Sequence, residues 1–248
     1  MSPPPPTALL ARPIAHRGLH GPGAPENSRE AIRAAAEAGY GIEIDVQLTA
    51  DGRAAVFHDA TLDRMTARTG RIRDLPAAEL AAIPLAGGGT IPMLEDALAA
   101  AGAAPVLIEV KDQSGDLSAA GVGPLEAAVA RAAAAHGGPV AVMSFNPHAV
   151  QALRYLAPDL PRGLTTCAFA PEDWPGVPPE RLADLRAMAA LDPAGAAFVS
   201  HDRRDLPAAA PLRARGLPVL TWTVRSPAEA AAALRHADQI TFEGFRPP

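Results

Sequence analysis

The chain has 248 residues, 48% of them hydrophobic and 20% charged, with a formal net charge of −5. That is enough for one large domain or two small ones with a substantial core, and the acidic balance leaves no basic footprint for nucleic acid. The lone cysteine, Cys167, excludes an intrachain disulfide, and no stretch is long and apolar enough to predict stable membrane insertion.

Residues 1–6 are proline-rich and lack the basic-then-apolar pattern of a signal peptide. The expectation is a disordered or extended tail over 1–12, one barrel domain over 13–248, and a place in the cytoplasm. A strand over 13–17 ends in His16-Arg17-Gly18. Pro25-Glu26-Asn27-Ser28 then opens a helix, with Asn27 as its cap, Glu30 completing a capping-box-like pattern, and Ile32 and the following alanines as the apolar face.

A strand over 41–48 carries Glu43 and Asp45, and another over 53–58 ends in His58-Asp59. Asp51-Gly52 between them is a strong hairpin signal. The gap is too short for a helical crossover, so the second strand returns antiparallel to the first. Centring the turn on Asp51-Gly52 makes paired positions sum to about 103, which sets His58 opposite Asp45. Side chains alternate with period two, so Glu43 joins that face. Residues 60–105 read as an elaboration, with a short helix signal over 75–80 and a turn at Gly87-Gly88-Gly89. Glu109 and Lys111 share one face of a strand over 106–111.

From there strands over 140–145, 163–167, 196–201, 219–224 and 239–243 alternate with helical patterns over 124–136, 148–156, 179–190, 208–215 and 227–236. Alternation of this kind implies a parallel sheet with helices outside. Setting aside the hairpin's return arm leaves eight strands, the α/β architecture of a (β/α)8 barrel. An open doubly wound sheet is the alternative, but no Gly-rich nucleotide loop follows any strand. Barrel sites lie at the C-terminal strand ends. His16, Arg17, Glu43, Asp45, His58, Glu109 and Lys111 then share one mouth, with the elaboration over 60–105 beside it. An E-x-D pair alone is usually solvated charge, and a His-Asp pair alone is usually structural. Buried in Val/Ile-rich strands, carboxylates need partners or a metal, and the combination points to a metal site with acid/base partners.

These residues bring a resemblance. Ala15-His16-Arg17-Gly18, Pro25-Glu26-Asn27-Ser28, Glu43-Ile44-Asp45-Val46, Leu48-Thr49 with Asp51-Gly52, His58-Asp59 and Leu62-Asp63-Arg64 with Thr66 and Gly70 occur in order. Ile108-Glu109-Val110-Lys111, Ser144-Phe145-Asn146 and Thr221-Trp222-Thr223-Val224 follow. The chain resembles the glycerophosphodiester phosphodiesterase family over nearly its whole length. The resemblance implies a (β/α)8 barrel that uses one divalent metal, Mg2+ or Ca2+, to cleave glycerophosphodiesters to glycerol 3-phosphate and an alcohol. It implies Glu43, Asp45 and Glu109 as metal ligands, and His16 and His58 as the acid/base pair. It implies Arg17 and Lys111 as phosphate contacts, Trp222 as a substrate contact, and Glu26 as an acid at or just behind the metal. The end of the chain departs from the family's usual Gly-Val-Asp-Gly-Ile-Ile-Thr-Asp, with Glu243 where an aspartate is common, a change expected to bear on substrate preference. The expected partner is a small-molecule phosphodiester. A lysophospholipase D acting on lysophospholipids is the nearest alternative; a glycosidase-like barrel with paired carboxylates and a non-catalytic binding barrel are further off.

Overall fold

The computed structural model describes residues 3–248. Its nine strands are β1 (Ile14–Ala15), β2 (Gly41–Leu48), β3 (Ala54–Val56), β4 (Val106–Val110), β5 (Val140–Ser144), β6 (Arg162–Thr166), β7 (Phe198–Asp202), β8 (Val219–Val224) and β9 (Gln239–Phe242). All neighbours pair in parallel except β2 and β3, and β1 pairs with both β2 and β9. Eight strands therefore close into a parallel barrel, and β3 hangs antiparallel from β2. This is the (β/α)8 architecture expected from the sequence.

The helices are α1 (Thr7–Ala11), α2 (Arg29–Glu37), α3 (Ala77–Leu80), α4 (Leu94–Ala101), α5 (Pro124–Ala135), α6 (Pro147–Leu156), α7 (Pro179–Arg186), α8 (Leu191–Ala194), α9 (Ala210–Ala214) and α10 (Pro227–Ala233). Strand alternation sorts the core into two shells. On β2 and β4, Ile42, Ile44, Val46, Val106, Ile108 and Val110 face outward and pack with Ile32 and Ala35 of α2, Leu94 and Leu98 of α4, and Leu125 and Val129 of α5. Inside, Ile14, Leu107, Ala141, Met143, Phe198 and Leu220 fill the floor of the barrel. Gly163 makes room there, because a Cβ at that position would lie 2.5 Å from the Phe198 ring. Above this apolar floor the inward positions of β2 and β4 become polar.

Three sequence expectations are corrected. The tail reading for Met1 and Ser2 lies outside the described residues, and Pro3–Pro6 take no regular structure. Residues 7–11, grouped with the tail, form α1, and its Leu9 is fully buried against the barrel floor. Leu9 is a large apolar side chain, and closing the open end of the barrel removes it from water. The helix at 29–37 is capped by Ser28, whose hydroxyl accepts from the Ala31 amide, and not by Asn27. The elaboration over 60–105 is narrower than expected, because α4 is a barrel helix. Leu94, Ala97, Leu98 and Ala101 form a helical stripe against the strands. The insert proper has its own small core of Leu62, Ile72, Leu80, Ile83 and Ile91, packed on Ala55 and Phe57.

Candidate active site

The hairpin register differs by one residue from the sequence estimate. Val46 pairs with Val56, Gln47 with Ala55 and Leu48 with Ala54. Phe57, not His58, therefore stands opposite Asp45, and its amide donates to the Asp45 carbonyl at 3.0 Å. A one-residue slip along a strand would send His58 to the other face. The strand ends at Val56, however, and the chain bends at His58. Gln47 Nε2 donates to the His58 carbonyl at 3.0 Å and holds that bend. His58 and Asp45 consequently remain close enough to influence each other's charge.

Glu43, Asp45 and Glu109 are buried, and each can offer an oxygen such that all three lie within 4.8 Å of one another. Asp45 lies level with Glu109 in the β2–β4 register, so adjacent strands present them side by side. Lys111 sits on this pair, with Nζ 2.9 Å from Asp45 Oδ1 and 2.6 Å from Glu109 Oε1. Arg17 closes the other side. Its amide donates to Glu43 Oε2 at 3.0 Å, its Nε lies 3.3 Å from Asp45 Oδ2, and its Nη1 donates to Glu26 Oε1 at 2.8 Å.

Charge is distributed unevenly among these groups. Burial, and then the neighbouring charges of Asp45 and Glu109, push the Glu43 carboxyl well above the usual range. Burial works against ionisation of Asp45 too, but Lys111, His58 and Arg17 outweigh it and hold that carboxyl low. Three oxygen donors with no sulfur or imidazole at the same point suit a hard divalent cation. Such an ion would also relieve the repulsion that Glu43 carries. The residues present therefore fit the metal that the sequence implies.

Each proposed acid/base histidine is backed by a carboxylate. His16 Nδ1 lies 2.7 Å from Glu243 Oε2, and His58 Nδ1 lies 2.6 Å from Asp59 Oδ1. A carboxylate at Nδ1 fixes ring orientation and tautomer and presents Nε2 to a ligand. Burial and the nearby Lys111 lower the His58 pKa, partly offset by Asp45 and Asp59. The His16 hydrogen bond, with help from His20, holds the Glu243 carboxyl well below the usual carboxylate range. Glu243, where the family commonly has an aspartate, stands behind His16, with Arg225 Nε on its second oxygen at 2.6 Å.

The match is broad. The glycerophosphoryl diester phosphodiesterase family model covers residues 16–240. The chain belongs to that family. Among curated relatives, a glycerophosphodiester phosphodiesterase of Caldanaerobacter subterraneus subsp. tengcongensis is 32% identical over 171 residues, 65% of this chain and 69% of its own length. A phosphodiesterase of Oleispira antarctica, solved in complex with the product sn-glycerol-3-phosphate, is 26% identical, with a TM-score of 0.77 over 95% of this chain and 94% of that one. A glycerophosphodiester phosphodiesterase of Parabacteroides distasonis, at 23% identity and a TM-score of 0.71 over 93% and 92% of the two chains, shares the fold.

Family members are phosphodiesterases, and in this one the carboxylates, both cations and both histidines gather at one mouth. Trp222 lies on β8. It is half-buried, its Nε1 donates to the Ser200 carbonyl at 3.0 Å, and its ring meets Phe145 edge-on at 5.6 Å. Through Phe145 it joins Phe169 and Trp174 in an aromatic wall beside β5, β6 and β8. His201, at the end of β7, is buried, with one ring nitrogen 2.8 Å from Thr166 Oγ1 and the other 3.0 Å from the Asp205 carbonyl; its contacts are structural.

Sequence reasoning missed Asn27 as a clamp. Its Nδ2 donates to Asp45 Oδ2 at 3.0 Å and its Oδ1 accepts from the Asp45 amide at 3.2 Å. It takes φ +60°, a left-handed conformation that asparagine tolerates better than most residues. The local helix-cap signal hid this role, because Asn27 and Ser28 are both good caps.

Proposed function

We propose that this phosphodiesterase hydrolyses glycerophosphodiesters to glycerol 3-phosphate and an alcohol, and that Glu43, Asp45 and Glu109 hold one divalent cation, Mg2+ or Ca2+, while His16 and His58 act as acid and base. The observation that carries this reading is the buried three-carboxylate cluster accompanied by two histidine–carboxylate pairs from separate strands. A bound cation would neutralise the phosphodiester's charge and stabilise the charge that develops in the transition state. Lys111 adds a positive point charge at the same place. Arg17 is held by Glu26 and Asp45 and offers its remaining guanidinium edge to a phosphate oxygen. His16 arrives from β1 and His58 from the β3 bend, so one ring can take a proton at the entering oxygen while the other gives one to the leaving oxygen. Trp222 supplies an apolar face for the organic part of the substrate.

The substrates proposed are soluble head-group diesters, such as glycerophosphocholine and glycerophosphoethanolamine. A lysophospholipid would need an apolar surface beside the mouth. The insert at the mouth buries its large apolar residues in its own core, and the large hydrophobics exposed among the described residues, Tyr155, Leu156 and Leu234, lie on or beside the outer helices α6 and α10. We take the barrel with α1 on its floor, residues 7–248, as one catalytic domain and place it in the cytoplasm. Among the described residues no helix is long and apolar enough to cross a membrane. A panel of glycerophosphodiesters, lysophospholipids and a cyclic nucleotide tests the assignment. Turnover of the head-group diesters is expected, and turnover confined to acyl-bearing substrates would replace this reading with a lysophospholipase D.

A further inference from the structure

The Leu62-Asp63-Arg64 segment lies in the insert, outside the barrel, and nothing in the chemistry above uses it. Arg64 nevertheless spends four of its five donors on carboxylates of the site. Its Nε donates to Asp59 Oδ2 at 2.6 Å and its Nη2 to Asp59 Oδ1 at 3.2 Å. The same Nη2 donates to Glu26 Oε1 at 2.6 Å, and Nη1 to Glu26 Oε2 at 3.0 Å. The fifth N–H, on Nη1, reaches Met65 Sδ at 3.1 Å. One planar guanidinium thus forks onto two carboxylates at once.

Those carboxylates are the ones behind the reacting groups. Asp59 holds His58 Nδ1 at 2.6 Å, and Glu26 holds Arg17 Nη1 at 2.8 Å. His58 and Asp59 follow β3, whereas Glu26 and Arg17 belong to the connection from β1 to α2. Arg64 ties the two together. The insert is itself anchored beside that connection. The Ala86 amide donates to the Met65 carbonyl at 2.7 Å, and the Gly87–Gly89 turn lies against Pro25, Gly23 and Glu30 so closely that a Cβ on Gly89 would stand 2.7 Å from Glu30 Oε2.

We propose that Arg64 is a positioning residue for hydrolysis, which sets the His58 ring through Asp59 and the Arg17 guanidinium through Glu26 in a single rigid arrangement. The proposal rests on the reading of His58 as an acid/base group. Its physical basis is the geometry of the fork. Two parallel N–H bonds fix the plane of each carboxylate, and the plane of Asp59 in turn fixes the rotation of the imidazole. Lysine retains the charge but has no planar fork and cannot hold both carboxylates in register. The Arg64 side chain is 47% exposed, so its replacement removes little packing.

The test compares kcat and KM for glycerophosphocholine in R64K, R64A, D59A, the R64A/D59A double variant and H58A, with thermal midpoints and the His58 Nδ1 proton resonance recorded for each. R64K is expected to lose kcat by about 10- to 100-fold, the span seen when a group orienting a functional histidine is removed. Its fold should be retained, and the His58 Nδ1 proton should broaden or shift. The double variant should lose less than the product of the two single losses, because part of the Arg64 effect passes through Asp59 and the rest through Glu26. Wild-type kcat in a folded R64K, an unmoved Nδ1 resonance, or losses that multiply in the double variant would overturn the proposal. A dead H58A beside an active R64K removes the proposal alone, whereas an active H58A removes the acid/base reading and the proposal with it.

Discussion

Replacing Glu243 with Gln isolates the electrostatic part of the His16 pair. Glutamine keeps the shape and can still accept from Nδ1, but it lacks the negative charge that would stabilise an imidazolium at 2.7 Å. The His16 and Glu243 side chains are 14% and 21% exposed, so water screens the pair only in part. A charge-assisted hydrogen bond of this kind contributes about 1.5–3 kcal/mol, which corresponds to roughly 10- to 150-fold in rate if it is felt mainly in the transition state. Arg225 withdraws part of that carboxylate's charge through its 2.6 Å bond to the other oxygen. The lower part of the range is therefore expected, about 10- to 30-fold in kcat. The assay is release of glycerol 3-phosphate from glycerophosphocholine under saturating substrate, with a p-nitrophenyl phosphodiester run alongside. Arg225→Ala serves as a control. Its side chain is 56% exposed, so its loss should change kcat by less than about fivefold, the equivalent of the ~1 kcal/mol upper value for exposed pairs. An E243Q enzyme within twofold of wild type, beside an inactive His16→Ala, would show that the carboxylate does nothing for the ring and would refute the reasoning.

Chelation should abolish hydrolysis, and Mg2+ or Ca2+ should restore it; full activity after exhaustive metal removal would sink the metal reading. Because burial and its like-charged neighbours raise the Glu43 carboxyl, protons compete with a cation there, and affinity measured by calorimetry should weaken as pH falls. With chelator present, a carboxyl raised in the folded state favours folding while protonated and disfavours it once pH rises past the unfolded value. The stability gain of Glu43→Gln over wild type should thus grow with pH, and a pH-independent difference would contradict the burial argument. His16→Ala and His58→Ala should each cut kcat by about 10²- to 10⁴-fold, and a p-nitrophenyl leaving group should rescue the variant lacking the acid but not the one lacking the base. Equal rescue would refute the division of labour. Asn27→Ala removes two buried hydrogen bonds to Asp45 and puts Ala in a left-handed conformation, at a cost of about 2–4 kcal/mol in urea unfolding; a loss below about 1 kcal/mol would show that the clamp is slack.

The eight barrel strands and the return arm of the hairpin were legible in the chain because each is a short apolar run bounded by turn residues, and because the helices between the barrel strands carry their own periodicity. Glu43 with Asp45 and Glu109 with Lys111 were legible for a local reason as well. Period-two alternation puts each pair on one face, and a carboxylate in an apolar strand has to be answered by something. The register of β3 was not legible to one residue, since a turn signal fixes where the chain reverses and not which ladder bond closes it. Tertiary structure decided what stands behind each reacting group. Asp59 is next to His58 in sequence, but Glu243 reaches His16 across 227 positions, and Arg64 reaches Glu26 across 38. Asn27 looked like a helix cap because capping depends on local sequence, whereas its bond to Asp45 exists only once β2 lies beside the β1–α2 connection. Strand pattern determines which faces carry charge; closure of the barrel determines which charges meet, because parallel neighbours are brought together by connections that no local signal describes.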